Sequence, residues 1–329
     1  MSKKPVIVSA IQPTGELHLG NYLGAVRNWV ELQNSGKYDC YFFIVDYHSL
    51  TGNRSAAERK DYIIELAAEL LAAGIDPQKS TFFVQSHVQE HTELGWIFNC
   101  VTPMAELERM TQFKDKAQSQ KKNVNVGLFT YPVLQAADIL MYKATHVPVG
   151  EDQVQHVELT RDIGRSFNKA YDTDFFPSTE ALLTDIPRVK SLLEPTKKMS
   201  KSKGENHVIC LADEPEVIAK KLKKAVTASP GDKETPGVNN LILLLNEFGE
   251  EEQAKEFAQE QKDGSIRYGD LKTAVAEAIS TYFADFRTRR HELITNREEI
   301  AELLAQGAQK AQTQAKKTMQ HVRKIIGVR

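Results

Sequence analysis

Three patterns in this 329-residue chain predict an α/β fold, a doubly wound parallel sheet followed by an all-helical region. Short apolar runs alternate with helical periodicity through about the first hundred residues. The first apolar run leads through a turn into a helix start rich in small and polar residues. The strand signal stops after about Gly204, and only helical spacing follows. Residues 6–10 form the first run, as expected of a buried parallel strand. Leu19, Leu23, Val26 and Val30 then recur at helical spacing. Residues 41–45 make a second strand, aromatic and β-branched. Tyr62, Ile63, Leu66, Ala67, Leu70 and Leu71 mark a helix closed by Gly74 and Pro77. Residues 81–84 read as a third strand and 90–100 as a helix. From 102 to 142 the pattern is mostly helical, with a polar loop near 119–125. Residues 145–149 are a further strand before another helix. Asp213 and Pro215 read as an N-cap and a first-turn proline. The expected domains are 1–206, with a helical insertion at about 103–142, and 207–329.

Composition narrows the function. The net charge is -2, which excludes a chain basic over its whole surface but not a local basic face. Such faces exist: Lys220, Lys221, Lys223 and Lys224; Arg287, Arg289 and Arg290; and a final stretch with Lys310, Lys316, Lys317, Arg323, Lys324 and Arg329 but no acid. Basic helical faces suit RNA phosphates. Cys40, Cys100 and Cys210 are far apart and form no C-x-x-C pair, which argues against a disulfide scaffold and for reduced thiols. The least polar stretch, 126–142, contains Pro132, Gln135 and Asp138 and falls short of a membrane span. No signal peptide is evident, so a cytoplasmic protein is expected, without a membrane partner.

Two motifs carry chemistry. Gln12-Pro13-Thr14-Gly15 and His18-Leu19-Gly20-Asn21 follow the first strand and open a helix. A helix N-terminus there offers N–H groups and positive potential to an anion. The string is neither G-x-G-x-x-G nor a Walker loop. Near the end of the α/β half comes Lys197-Lys198-Met199-Ser200-Lys201-Ser202-Lys203-Gly204, a loop able to bring ammonium groups onto a pyrophosphate as charge develops.

Together these motifs resemble the nucleotide-binding pair of class I aminoacyl-tRNA synthetases. Residues 130–140, Pro148-Val149-Gly150-Glu151-Asp152-Gln153, 108–114 and Ile44-Val45-Asp46-Tyr47-His48 are similar to the bacterial tryptophanyl members. The resemblance implies a Rossmann-like catalytic domain and a helical anticodon-binding domain. It implies ATP-dependent activation of L-tryptophan, then transfer to tRNA(Trp), by a homodimer with its interface near 103–142. ATP would arrive with Mg2+ as a substrate complex, with no protein-bound structural metal.

The resemblance also assigns residues. Gln12, Pro13, Thr14, Gly20 and Asn21 contact ATP, with Thr14 and His18 counted among the catalytic groups. Gly150, Glu151 and Asp152 take the ribose side, and the Val189 backbone takes adenine. Lys198 and Lys201 stabilise the transferring phosphates, within an ATP-binding loop that includes Met199, Ser200 and Ser202; Lys114 is a further ATP candidate. For tryptophan, Asp138 accepts the indole N–H, while Tyr131 and Gln153 hold the ammonium group. Gln135 and Ile139 line the pocket, although Gln135 stands where the family usually has methionine, as Ala10 and Val8 stand for glycine and phenylalanine. His48 ends a strand at the ligand-facing edge, and an Asp138–Lys143 ion pair is the structural alternative for Asp138. A tyrosyl-tRNA synthetase, a catalytically silent RNA-binding paralogue and a small-molecule adenylyltransferase are the competing readings. Chain length, the intact motifs and the long helical half weigh against each in turn.

Overall fold

Five strands among the described residues lie in one sheet, every neighbouring pair parallel: β1 (Val6–Ile11), β2 (Asp39–Ile44), β3 (Thr81–Val84), β4 (His146–Val149) and β5 (Glu180–Leu183). Their spatial order is β3-β2-β1-β4-β5, so the order reverses between β1 and β4. β1 and β2 pair along their whole length, from Val6 beside Asp39 to Ile11 beside Ile44. This is the predicted doubly wound sheet, and ligands of such sheets bind beyond the carboxyl ends at the reversal. The structure is a computed structural model describing residues 4–52, 54–111, 124–150, 153–183, 187–228 and 235–328.

The helices follow the expected spacing. α1 (Leu19–Asn21) passes through a π-helical turn, Tyr22–Val26, into α2 (Arg27–Asn34). α3 (Ala56–Ala72) opens with a capping box, in which Ser55 Oγ accepts the Glu58 N–H and the Glu58 carboxylate accepts the Ser55 N–H. α4 (Glu90–Asn99), α5 (Met104–Glu108), α6 (Val126–Leu140) and α7 (Val154–Ala170) follow. The rest of the helices are α8 (Pro215–Lys224), α9 (Pro236–Phe248), α10 (Glu251–Asp263), α11 (Tyr268–Tyr282), α12 (Ala284–Thr295) and α13 (Arg297–Ile325).

Two readings of single elements need correction. β5 carried no legible signal: Glu180-Ala-Leu-Leu has no β-branched residue, and as an edge strand it leaves Leu183 exposed. Asp213 does not cap α8. Glu214 holds the cap position, and Asp213 Oδ2 instead accepts the Cys210 N–H at 2.8 Å and pairs with Lys221 at 2.6 Å.

The chain divides into two compact units that do not follow a single cut at residue 206. The first comprises Met1–Gly15, Asn28–Asp185 and Asn296–Arg329; the second comprises Glu16–Arg27 and Ile186–Thr295. In the first unit, Phe43, Phe83, Leu94, Val133, Leu140 and Ile163 join the sheet to α4, α6 and α7 in one core. α13 belongs to this core, through Ala308, Ala311, Ala315 and Met319. Its small residues let the helix backbone lie against β3. A Cβ at Gly307 would sit 1.7 Å from the Phe82 carbonyl oxygen, so only glycine fits. Part of its basic character is spent here, since Arg323 donates to both oxygens of Glu93 and Lys310 donates to the Pro77 carbonyl. Lys316, Lys317 and Lys324 remain exposed.

In the second unit, α8, α9 and α11 pack on one another, and residues 16–27 pack with them. Tyr22 stacks edge-on with Phe283 and Tyr282, its hydroxyl 2.8 Å from that of Tyr282, and Arg27 pairs with Glu247 at 2.7 Å.

Gly307→Ala should destabilise the protein by about 3 kcal/mol or more, because the helix must lift from β3 to admit the methyl group. Urea unfolding is the measurement, and an unchanged midpoint would show that α13 does not lie on Phe82 as described.

Candidate functional site

The first motif crosses the unit boundary, and each half has its own setting. On the first unit, β1 ends at Ile11 and the chain turns at once, the Thr14 N–H donating to the Gln12 carbonyl at 2.8 Å. Pro13 is buried and Thr14 exposed, with the Thr14 carbonyl accepting from Arg54 at 2.8 Å.

The other half lies in the second unit. His18 is the N-cap of α1: its Nδ1 accepts the Asn21 N–H at 3.3 Å, and Asn21 Oδ1 accepts the His18 N–H at 3.2 Å. A ring accepting at Nδ1 is neutral and carries its proton on Nε2, which makes His18 a donor. Burial, then the nearby Lys201 and Lys198 ammonium groups, push its pKa down to about 4. Gly20 keeps this arrangement possible, because a Cβ there would lie 3.0 Å from the His18 ring.

The second motif is strapped to its neighbours in the same unit. The buried Met199 donates its N–H to the Val189 carbonyl at 3.0 Å, and Lys198 bridges antiparallel to Lys190. The Val189 N–H is itself engaged with the Pro187 carbonyl. Glu194 collects the two flanking lysines, at 2.7 Å from Lys197 and 2.5 Å from Lys203. Hydrogen bonds from Lys197 and Lys203 hold the Glu194 carboxyl down at about 2. Lys198 and Lys201 have no acidic partner among the described residues. Lys198 is exposed, and Lys201 Nζ donates to the Glu16 carbonyl. Ser200 Oγ accepts the Ser202 N–H at 3.4 Å and closes the short turn Lys201–Lys203.

The residues expected to meet the amino acid gather on the first unit. Tyr131, Gln135 and Asp138 share one face of α6 by their spacing. Asp138 is almost fully buried, 3% exposed. Burial alone would raise its pKa, but hydrogen bonds from His48 and His91 outweigh that and lower it. His48 Nε2 is 2.8 Å from Oδ2, His91 Nδ1 is 2.6 Å from Oδ1, and Gln85 Nε2 donates to both oxygens at 2.7 and 2.9 Å. The Asp138–Lys143 alternative is absent, since Lys143 Nζ lies over the Phe175 ring, 3.6 Å from its centroid. The Tyr131 hydroxyl lies 3.2 Å from His156 Nε2, and burial pushes its pKa up to about 12. Gln135 and Gln153 are half-buried, and Ile139 sits in the apolar core. The Gly150 carbonyl, just past β4, accepts the Gln153 N–H at 3.0 Å. Glu151, Asp152 and Lys114 lie outside the described residues.

His91, Gln85 and Tyr142 were missed in the sequence. The signal available was a glutamine just past a buried strand; His91 stands among Glu90, Thr92 and Glu93 and is ordinary in its helix. His48 was seen, but its contact with Asp138 was not. Among the described residues no group of three or more His, Cys, Asp or Glu is arranged to hold a metal, and no helix is long and apolar enough to cross a membrane.

The family model described as "tRNA synthetases class I (W and Y)" matches residues 1–284. The chain belongs to this family. It is similar to the tryptophanyl-tRNA synthetase of Campylobacter jejuni complexed with ADP and tryptophan, at 34% identity and a TM-score of 0.86, covering 98% of this chain and 100% of that one. The Mycoplasma pneumoniae tryptophanyl-tRNA synthetase matches at 34% identity and a TM-score of 0.84, covering 99% of each chain. A tyrosyl-tRNA synthetase of Archaeoglobus fulgidus, at 23% identity and a TM-score of 0.68, covers 88% of this chain and 91% of that one and shares the fold. Members of this family are ligases.

His18 makes a pH signature. In the unfolded chain it titrates near 6.5, and in the folded chain near about 4, so the unfolded state takes up the proton first. Stability tied to neutral His18 is complete above the unfolded value and is lost as pH falls toward 4, by about 3 kcal/mol at the limit. The unfolding free energy should therefore fall more steeply between pH 6.5 and 4 in the wild type than in His18→Asn. Parallel slopes for the two proteins would refute the assignment.

Proposed function

We propose that the chain activates L-tryptophan with ATP and transfers the tryptophanyl group to tRNA(Trp). The observation that carries this reading is the 34% identity, across nearly the whole of both chains, with a synthetase holding ADP and tryptophan. The ionised, buried Asp138 supports it, because an indole N–H is a donor only and needs such an acceptor.

In the first step the tryptophan carboxylate attacks the α-phosphorus of ATP, the bond to the bridging oxygen breaks, and pyrophosphate leaves with the electron pair. No general base is needed, since the carboxylate is ionised near neutral pH. Catalysis is positioning and charge stabilisation. Lys198 and Lys201 meet the phosphates as charge moves onto the leaving group, and Lys201 exchanges the Glu16 carbonyl for a phosphate oxygen. Neutral His18 donates from Nε2. Gln12, Pro13, Thr14, Gly20 and Asn21 take the rest of the ATP chain, and Gly150, Glu151, Asp152 and the Val189 backbone take its nucleoside. Mg2+ travels with ATP on phosphate oxygens and water. In the second step a ribose hydroxyl of tRNA attacks the carbonyl of the mixed anhydride and AMP leaves. Tyr131 and Gln153 hold the amino group throughout.

We further propose a homodimer acting in the cytoplasm. Trp96, Met104, Val124 and Val126 are exposed apolar side chains on and beside α4, α5 and α6, and their coverage by a second copy accounts for them. The basic faces of the second unit, at Lys220, Lys223, Lys224, Arg289 and Arg290, meet the tRNA.

Amino-acid-dependent exchange of pyrophosphate into ATP tests the activity with all twenty amino acids. Tryptophan is expected to support it. Support by tyrosine alone would favour the tyrosyl branch, and none at all a silent paralogue. Lys198→Ala and Lys201→Ala should each slow adenylate formation by about a hundredfold or more while leaving tryptophan affinity within about twofold. Equal loss of both would end the phosphate assignment. Light scattering should give a dimer for the wild type and a shift toward monomer for Trp96→Asp.

A further inference from the structure

Asp138 sits at the middle of a buried chain of hydrogen bonds that does not end with its own partners. His91 is wholly buried and is held at both nitrogens, Nδ1 at 2.6 Å from Asp138 Oδ1 and Nε2 at 2.7 Å from the Tyr142 hydroxyl. Directions can be assigned. An ionised carboxylate only accepts, so His91 donates from Nδ1, and in the neutral ring Nε2 is then a lone pair. Tyr142 must then donate, and burial, with Asp138, Tyr41 and Glu90 nearby, raises its pKa and keeps it able to do so. Tyr142 is in turn fixed by stacking on Tyr41, ring centroids 4.4 Å apart. Gln85 is fixed in the same sense: its Oε1 accepts the Tyr47 N–H at 3.1 Å, which turns Nε2 toward Asp138.

From this geometry we infer that His91, held in one tautomer by Tyr142, is a positioning residue for tryptophan recognition, keeping the Asp138 carboxylate ionised and correctly turned as the acceptor of the indole N–H. The inference rests on the proposed function and names a further determinant of that site.

The physical reason is the cost of the charge. A buried carboxylate without donors takes up a proton instead of remaining ionised. A protonated Asp138 would present a hydroxyl toward one of its partners and lose half its accepting capacity. The carboxylate itself favours the Nδ1–H tautomer and Tyr142 reinforces it; with Tyr142→Phe, Nε2 is left a buried lone pair without a donor, which weakens that selection. The titratable and charged groups around this cluster are His48, on the turn after β2; Tyr41, on β2; Glu90, on α4; and Arg323, on α13, which pairs with Glu93 of α4. Of these only His48 also donates to Asp138, so removing His91 leaves one imidazole to hold the charge.

The test uses the full-length enzyme in pyrophosphate exchange, with KM for tryptophan and for ATP measured separately from pH 5 to 8. His91→Leu should raise the tryptophan KM about 10- to 100-fold, leave the ATP KM within about twofold, and move the acidic limb of 1/KM for tryptophan to higher pH. His91→Asn, which can still donate from a position near Nδ1, should recover most of the affinity. Tyr142→Phe keeps the stacked ring and should show the same shifts in weaker form. The inference is overturned by any of three results: an unmoved acidic limb in both His91→Leu and Tyr142→Phe, equal rises in both KM values, or His91→Asn no better than His91→Leu. Should His91→Leu fail to fold, Tyr142→Phe and His91→Asn decide the matter by the same limb and the same KM ratio. A wild type inactive with tryptophan would defeat the underlying function instead, and is distinguished by the exchange assay itself.

Discussion

A carboxylate removed from water must be met by donors, and the first unit is arranged around one such demand. Asp138 is reached by four hydrogen bonds, two from imidazoles and two from one amide. A carboxylate offers about four acceptor directions, so the group is saturated without a ligand. The donors come from separate elements: His48 from the turn after β2, Gln85 from the end of β3, His91 from α4. Asp46 ties the same strand ends together, its Oδ1 accepting the Tyr47 and Ser86 N–H groups at 3.1 and 3.0 Å. Meeting one charge therefore sets where two strands stop and how a helix is turned.

The second unit handles charge in the opposite way. The lysines of its second motif lie at or near the surface, and their neighbours decide which of them are committed. Glu194 takes Lys197 and Lys203, while Lys198 is left exposed and Lys201 rests on a backbone carbonyl. A carbonyl is a weaker partner for an ammonium group than a phosphate oxygen, so the contact is easily exchanged. His18 stays neutral beside these lysines, because burial first and then their positive charges disfavour its protonation.

The fold was largely legible in the sequence, because its signals are local. Apolar runs 6–10, 41–45, 81–84 and 145–149 each fall on an observed strand, and the Tyr62-to-Leu71 periodicity describes a real helix, α3. β5 was not legible, since a four-residue edge strand lacking β-branched residues has no pattern to read. The proposed site was readable where motifs are contiguous: His18-Leu19-Gly20-Asn21 and Lys198-Met199-Ser200-Lys201-Ser202 are short strings that can be picked out from a few residues each. Asp138 stood out as a lone acid in an apolar helix. His91 and Gln85 did not, because each is ordinary in its own segment and acquires meaning only from a partner 47 or 53 residues away.

By itself the sequence determined the fold class, the two motif strings and the family, all properties carried by residues near one another in the chain. Tertiary structure alone decided the company each residue keeps. It joined residues 16–27 to the helical unit and so placed His18 with Lys198 and Lys201. It laid the basic-looking C-terminal helix against β3, where Gly307 passes the Phe82 carbonyl. It also surrounded Asp138 with donors. Such choices rest on shape and on the cost of burying charge, and neither is visible until distant segments meet.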